Sequence, residues 1–89
     1  MSDRRPERLA ALRRKLAAEG LDGLLVTSLP NIRYLTGFSG TSAVLLVTAG
    51  HAVFLSDFRY RLQAVLEIGD FARIEIDSGS VWERFSKLL

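Results

Sequence analysis

Three residues of this 89-residue chain, Ser39, His51 and Asp57, are of the types that hydrolases use for nucleophilic catalysis. A nucleophile elbow needs one glycine two positions before the serine and another two positions after it. In the loop Gly37-Phe38-Ser39-Gly40-Thr41 the first glycine is present, but threonine occupies the second position. His51 belongs to a predicted hairpin turn and not to this loop. The pattern therefore argues against a Ser/His/Asp triad.

The same glycine-rich loop could bind phosphate, and the carboxylates of the chain could bind a metal ion. A Walker loop continues as Gly-Lys-Ser/Thr into a helix, whereas a strand is predicted to follow here. One histidine and no cysteine do not make the usual transition-metal site, and no spacing gathers the carboxylates. We therefore expect neither a phosphate site nor a metal site in this chain.

Two interpretations are open for the aromatic and cationic residues near the loop. Phe38 either packs in the core, with the glycines allowing a tight loop, or lines a substrate cleft. Arg59 either pairs with Asp57 or Asp70, or holds a substrate carboxylate in its planar guanidinium fork. The same two interpretations apply to Tyr60, which either packs within the domain or contacts the substrate.

Composition excludes several classes of protein. Hydrophobic residues make up 48% of the chain, which is too many for a disordered tail and indicates that some apolar surface serves an interface. The longest apolar run, Ala43–Val47, is far shorter than the ~20 residues of a membrane span. The N-terminus is charged and has no apolar signal segment. With no cysteine in addition, we expect a cytoplasmic protein without membrane contacts.

The formal net charge is only +2, but half of the 12 basic residues fall in or just before the first predicted helix. These residues are Arg4, Arg5, Arg8, Arg13, Arg14 and Lys15. We interpret them as a solvated helix face, because no stacking platform or recognition motif for a nucleic acid accompanies them. We therefore expect no nucleic-acid partner.

A β-hairpin is predicted at the centre of the fold. Two apolar runs, Ser42–Val47 and Ala52–Leu55, are separated by four residues that include Gly50. Both runs are almost entirely apolar, so we expect both faces of the hairpin to be covered, in the middle of a sheet. Asp57 follows the second run as the N-cap of the next helix.

Other elements flank the hairpin. Before it we predict an amphipathic helix, Pro6–Glu19, ended by Gly20, then a fully buried strand, Leu24–Thr27, and a short helical turn ended by Gly37. The inward residues of these helices are Leu9, Leu12, Leu16, Ile32 and Leu35. After the hairpin we predict a helix from Phe58 to Glu67, a strand, Phe71–Ile76, and a last helix that starts at the capping box Ser80–Glu83. The apolar face of the first of these helices would be Phe58, Leu62, Val65 and Leu66. This order predicts an α/β fold, a three-layer α/β/α sandwich with a mixed sheet.

Three segments carry a family resemblance. The sequence NIRYLTGFSGT, residues 31–41, precedes the hairpin, and DFRY, residues 57–60, follows it together with Gln63 and Ala64. This arrangement resembles the N-terminal domain of the creatinase, prolidase and aminopeptidase P family, where a P-x-N-x-x-Y-L-T-G-F loop, a hairpin and a D-x-R-Y-x-x-Q-A helix start occur in this order. The resemblance implies the same mixed-sheet fold, with a further strand or two beyond Leu89.

The resemblance also implies a place in a larger enzyme. Residues 1–89 would be a single, truncated N-terminal domain of a metal-dependent Xaa-Pro aminopeptidase or Xaa-Pro dipeptidase (prolidase), followed by a "pita-bread" catalytic domain with two divalent ions of Mn, Co or Zn. None of the family's metal ligands lies in this chain, so no catalytic residue is carried over and the chain alone is not an enzyme.

The implied role is homodimerisation and control of access for short proline-containing peptides. By position, Phe38, Ser39, Arg59 and Tyr60 would face the substrate. An alternative is a protein- or peptide-binding module from a relative that has lost catalysis.

Overall fold

The computed structural model describes residues 3–77, which form three helices and one four-stranded sheet. The helices are α1 (Arg5–Ala18), α2 (Leu29–Thr36) and α3 (Arg61–Ile68), and a 3-10 turn, Phe58–Tyr60, precedes α3. The strands are β1 (Gly23–Val26), β2 (Ala43–Thr48), β3 (Ala52–Asp57) and β4 (Arg73–Asp77). None of the helices in this part of the chain is both long and apolar enough to cross a membrane.

The sheet is mixed, with the order β1-β2-β3-β4. Strands β1, β2 and β3 are antiparallel, and β4 runs parallel to β3 after the crossover through α3. The predicted hairpin therefore occupies the two central positions, and the predicted α/β fold with a mixed sheet is confirmed. Leu45 lies opposite Phe54 and Val44 opposite Leu55, which fixes the two faces of the sheet.

Both faces of the hairpin are buried, as predicted. On one face Leu45, Val47 and Phe54 pack in a cluster with buried residues of α1, α2 and α3. On the opposite face Val44 and Leu55 are 3% and 0% exposed. The helices just described form a single layer. The predicted last helix, from Ser80, lies outside the described residues, so the third layer of the predicted sandwich stays a prediction.

The predicted ends of α1 and α2 are confirmed by the backbone. Gly20 and Gly37 adopt the left-handed conformation, with φ of +71° and +85°. At the second of these ends the Gly37 N–H donates to the carbonyl of Arg33 at 2.8 Å. The predicted inward residues of α2, Ile32 and Leu35, are 0% and 7% exposed.

The prediction of a fully buried first strand was wrong. Leu24 of β1 is 38% exposed, although Val26 in the same strand is buried. The reason is the position of β1 at the edge of the described sheet, because an edge strand has a neighbour on one side only.

The predicted apolar face of the third helix is exposed instead of packed. Its residues, Phe58, Leu62, Val65 and Leu66, are 53–75% exposed and are called the outer face of α3 below. The helix packs on the sheet through Ala64 and Ile68, at 0% and 1% exposure. The prediction assumed one continuous α-helix from Phe58, but residues 58–60 form a 3-10 turn. A 3-10 turn advances by about 120° per residue instead of about 100°, so the apolar side chains point in other directions than an α-helix would give them.

The basic residues of α1 are only partly solvated, which corrects the prediction of a solvated face. The Arg5 guanidinium donates to the carbonyls of Thr36 at 3.0 Å, of Glu67 at 3.0 Å and of Ile68 at 3.2 Å, and pairs with Asp3 at 2.9 Å. These carbonyls lie at the C-terminal ends of α2 and α3, where a positive charge is favoured by the helix dipoles.

Two further arginines of α1 bind backbone carbonyls. Arg8 donates to Tyr34 O at 2.9 Å, with its guanidinium 4.3 Å from the Tyr34 ring centre. Arg13 donates to Thr48 O at 2.8 Å. Three of the five basic residues of α1 therefore join this helix to α2, α3 and the hairpin.

Replacing Arg5 by alanine is expected to lower the free energy of unfolding by about 2 kcal/mol, since hydrogen bonds from a charged donor to carbonyls at the ends of two helices are lost. Arg5→Lys should lie between wild type and alanine, because an ammonium lacks the fork geometry. Urea unfolding followed by circular dichroism measures the change. Arg4→Ala, next to it and exposed, is the control and should change stability by less than about 0.5 kcal/mol. Equal losses of unfolding free energy in Arg4→Ala and Arg5→Ala would contradict the stabilising role of the Arg5 hydrogen bonds.

A matched pair on α3 tests which face packs. Ile68→Ala should cost about 3 kcal/mol of unfolding free energy, because it leaves a cavity at a site that is 1% exposed. Leu66→Ala, at 75% exposure, should cost less than about 0.5 kcal/mol. The same urea titration compares the two, and a larger loss for Leu66→Ala would show that the outer face is packed in solution.

Candidate functional site

The loop 37–41 and the segment 57–60 meet at one end of the sheet. The loop leads from α2 into β2, and the segment begins with Asp57, the last residue of β3. Since β2 and β3 are antiparallel, with Ala43 opposite Ser56, the start of one strand lies beside the end of the other. The two segments that the sequence singled out are thus neighbours in space.

The side chain of Phe38 fills the space between these two segments. It is 1% exposed and packs edge-on against Phe54 at 4.7 Å and Tyr60 at 5.5 Å between ring centres. Gly40 faces the same rings, and a Cβ there would lie 2.3 Å from Phe38 Cζ and 2.9 Å from Tyr60 Cε1. Of the two interpretations of Phe38, the structure shows packing in the core, and Gly40 is needed because the rings leave no room for a side chain.

Ser39 is bound to α3 through a small polar network. Its N–H donates to Glu67 Oε1 at 3.0 Å and its hydroxyl to Oε2 at 2.8 Å. The Gln63 amide donates to Ser39 Oγ at 3.0 Å and to Glu67 Oε1 at 3.0 Å. Gln63 and Glu67 are one helical turn apart, so both side chains reach the loop from the same side of α3.

These contacts change the acidity of Glu67. Burial by itself would raise the pKa of the carboxyl group, but the hydrogen bonds from the Ser39 N–H, from Gln63 and from the Ser39 hydroxyl outweigh it and lower the pKa. The carboxylate therefore stays ionised at neutral pH and accepts from the loop. Glu67 acts on the conformation of the loop and is not placed as a general base.

Asp57 and Arg59 form a bidentate ion pair next to the loop. Arg59 Nε donates to Asp57 Oδ1 at 3.0 Å and Nη2 to Oδ2 at 2.8 Å, and this pairing lowers the pKa of Asp57. The Asp57 carboxylate also accepts from the Arg59 N–H at 3.0 Å, which confirms the predicted N-cap. The Arg59 side chain stays 63% exposed, so the pair lies at the surface.

Tyr60 connects the two segments. Its hydroxyl forms a hydrogen bond with the hydroxyl of Thr41, which lowers the pKa of the phenol. Its ring is half-buried and packs on Phe38, with the Arg59 guanidinium 5.3 Å from the ring centre. One face of Tyr60 therefore packs inward, and its hydroxyl holds the end of the loop.

The structure does not bring the three candidate nucleophilic residues together. Ser39 is bound to Glu67, Asp57 is paired with Arg59, and His51 lies in the hairpin turn before β3. His51 and Asp57 are six residues apart along the extended strand β3, a distance of roughly 20 Å. The described residues also contain no group of three or more His, Asp or Glu side chains that could hold a metal ion.

A shallow hollow of about 340 Å³ lies beside the loop. Its described lining is Leu29, Pro30, Arg33, Phe38, Ser39 and Gly40. Its walls are mostly apolar and include one exposed arginine, Arg33, and such a lining suits a short peptide and its carboxylate better than a reaction centre. Sequence reasoning missed Glu67 and Arg33. For Glu67 the available signal was its spacing of four residues from Gln63, which belongs to the quoted motif.

Comparisons with known proteins agree with this architecture. The model of the Creatinase/Prolidase N-terminal domain family matches residues 8–89. A solved structure of an Xaa-Pro aminopeptidase from Streptococcus pyogenes is 42% identical with a TM-score of 0.86, and the match covers 100% of this chain and 67% of that one.

Two longer proteins are also similar. An Xaa-Pro dipeptidase structure from Bacillus anthracis is 31% identical with a TM-score of 0.85, over 94% of this chain and 23% of that one. The Bacillus subtilis protein named "Uncharacterized peptidase YqhT" is 40% identical over 68 residues, which are 76% of this chain and 19% of that protein. This chain thus spans about a fifth of the length of these two relatives. Because the family model covers nearly all of its residues, this chain belongs to the creatinase/prolidase N-terminal domain family.

Proposed function

We propose that this chain is the non-catalytic N-terminal domain of an Xaa-Pro aminopeptidase or Xaa-Pro dipeptidase, in which it serves dimerisation and control of substrate access. The observation that carries the proposal is that loop 37–41 lines a peptide-sized hollow and is joined to segment 57–60. Its support is the similarity to solved structures of an Xaa-Pro aminopeptidase and an Xaa-Pro dipeptidase.

In this proposal the loop and the segment form one wall of the substrate cleft. Phe38 packs behind the wall, and Ser39, Arg59 and Tyr60 face the substrate. Two nitrogens of Arg59 are engaged with Asp57, and the third, Nη1, makes no hydrogen bond within residues 3–77 and is available for the carboxylate of a short peptide. A wall of fixed shape would admit short proline-containing peptides and exclude folded chains.

The outer face of α3 would contact the homodimer partner. It starts at Phe58, a residue of segment 57–60, and exposes four large apolar side chains in three turns. Contiguous exposed apolar surface of this kind marks a protein contact. Docking there would place the wall at a subunit boundary, beside the partner's cleft.

The chemistry itself would reside in a catalytic domain that follows this one. Two divalent ions, Mn, Co or Zn, would be held by that domain, and no catalytic step is assigned to residues 3–77. A cytoplasmic location completes the proposal, supported by the absence of cysteine from the chain.

Arg59→Ala in the full-length peptidase is expected to raise KM for short Xaa-Pro peptides about tenfold with kcat within about twofold, because a ground-state contact is lost. Initial rates with an Xaa-Pro dipeptide and an Xaa-Pro-Xaa tripeptide in the presence of Mn²⁺ measure the effect. The matched control is Arg61→Ala, an exposed arginine two residues further on. An equal change of KM in both variants would reject the role of Arg59, and hydrolysis by the 89-residue chain alone would reject the non-catalytic assignment.

Leu62→Glu in the same full-length protein should weaken the dimer at least about tenfold, because a charge replaces an apolar side chain at the proposed contact. Sedimentation velocity over a dilution series measures the dissociation. Leu62 is 70% exposed, so the variant should keep its circular dichroism spectrum. Leu21→Glu, at 49% exposure outside this face, is the control. An unchanged dimer in the Leu62 variant would show that the outer face of α3 is not the dimer contact.

A further inference from the structure

The outer edge of β1 borders a groove that the proposed function does not use. Within the described residues β1 pairs with β2 alone, so every second residue of Gly23–Val26 directs its N–H and C=O groups away from the sheet. Helices α1 and α2 stand beside this edge and enclose a groove of about 700 Å³ with it. An edge strand with a helix-lined groove beside it is the arrangement to which extended peptides add as a further strand.

The described lining of the groove combines apolar and basic side chains. Leu12, Leu24 and Leu35 contribute the apolar part. The charged members of the described lining are Arg8 and Lys15, both basic. Lys15 takes part in no ion pair within residues 3–77, and Arg8 uses one guanidinium nitrogen for Tyr34 O. The charge of the groove therefore favours an acidic occupant.

We propose that this groove binds an extended acidic peptide segment, which pairs with β1 as an additional strand. Arg8 and Lys15 are seven residues apart on α1, a rise of about 10 Å. On an extended strand, residues i and i+4 point to the same face and are about 13 Å apart. Two acidic residues at i and i+4 thus reach the two basic side chains, and an apolar residue at i+2 meets the leucines between them.

The matching probe is the peptide acetyl-Glu-Thr-Leu-Thr-Glu-amide. The residues at i+1 and i+3 face away from the helices, so threonine is used there to favour the extended conformation. A four-residue edge offers few backbone hydrogen bonds, so we expect a dissociation constant on the order of 100 µM. Binding should weaken with salt, since two exposed ion pairs contribute to it.

Titration of the ¹⁵N-labelled 89-residue chain with this peptide, followed by NMR, tests the proposal. Amide shifts should be concentrated in Gly23–Val26 and in the groove-facing side of α1 and α2. Lys15→Glu should weaken binding about tenfold. Arg14→Glu makes the same change of charge one residue away, at an exposed position outside the groove lining, and should weaken binding less than about twofold.

Three results would overturn the proposal. The first is equal weakening by the Lys15 and Arg14 variants, which would reduce the effect to net charge. The second is equal binding of acetyl-Lys-Thr-Leu-Thr-Lys-amide, which would remove the acidic specificity. The third is a concentration-dependent shift of the β1 amides without peptide, which would assign the edge to a second copy of this chain. None of these results depends on the outcome for Arg59 or Leu62, so the groove and the substrate wall are judged separately.

Discussion

The burial of Phe38 is the packing interaction on which the arrangement of the candidate site depends. Its ring contacts Phe54 in the centre of the sheet and Tyr60 in the segment after β3, so the loop cannot move without opening the core. The loop backbone can lie close to the Phe38 and Tyr60 rings because Gly40 has no side chain at that point. The exposed residues around it, Ser39 and Arg59, are positioned by a contact that is itself inaccessible to a ligand.

Arg5 fixes the same region from the other side. The C-terminal ends of α2 and α3 converge, and their last carbonyls carry partial negative charge without partners in their own helices. One guanidinium nitrogen of Arg5 supplies the missing donor for both helices, because it donates to Thr36 O and to Glu67 O. Since α2 leads into the loop and Glu67 holds Ser39, the position of this arginine also sets the distance between loop and helix.

The two exposed surfaces of the domain have opposite physical character. The outer face of α3 is apolar and belongs to the side of the sheet where β3 and β4 are joined, next to the candidate site. The β1 groove lies at the other edge of the described sheet and combines an open strand with basic side chains. A domain that contacts one neighbour through apolar area and another through strand pairing would use different forces for the two contacts, and salt would weaken only the second.

The sequence by itself determined the elements, because their signals are local. Periodicity, the glycines at positions 20 and 37, the N-cap at Asp57 and the two apolar runs specify α1, α2 and the hairpin without any knowledge of distant residues. The ordered motifs around Tyr34 and Asp57 also indicated the family. The pairing of Arg59 with Asp57 was one of the alternatives that the sequence left open, and the structure shows this one, between residues two positions apart in the chain.

Only the tertiary structure decided which of several compatible faces is packed. Two apolar stripes of α3 were available, and the small side chain of Ala64 with Ile68 approaches the sheet while Leu62 and Leu66 stay in solvent. Likewise, nothing local distinguishes Arg5 from Arg4, because the carbonyls that Arg5 binds are 31 to 63 residues away. Glu67 was missed on the same ground: its partner Ser39 precedes it by 28 residues, and a contact of that separation exists only once the chain is folded.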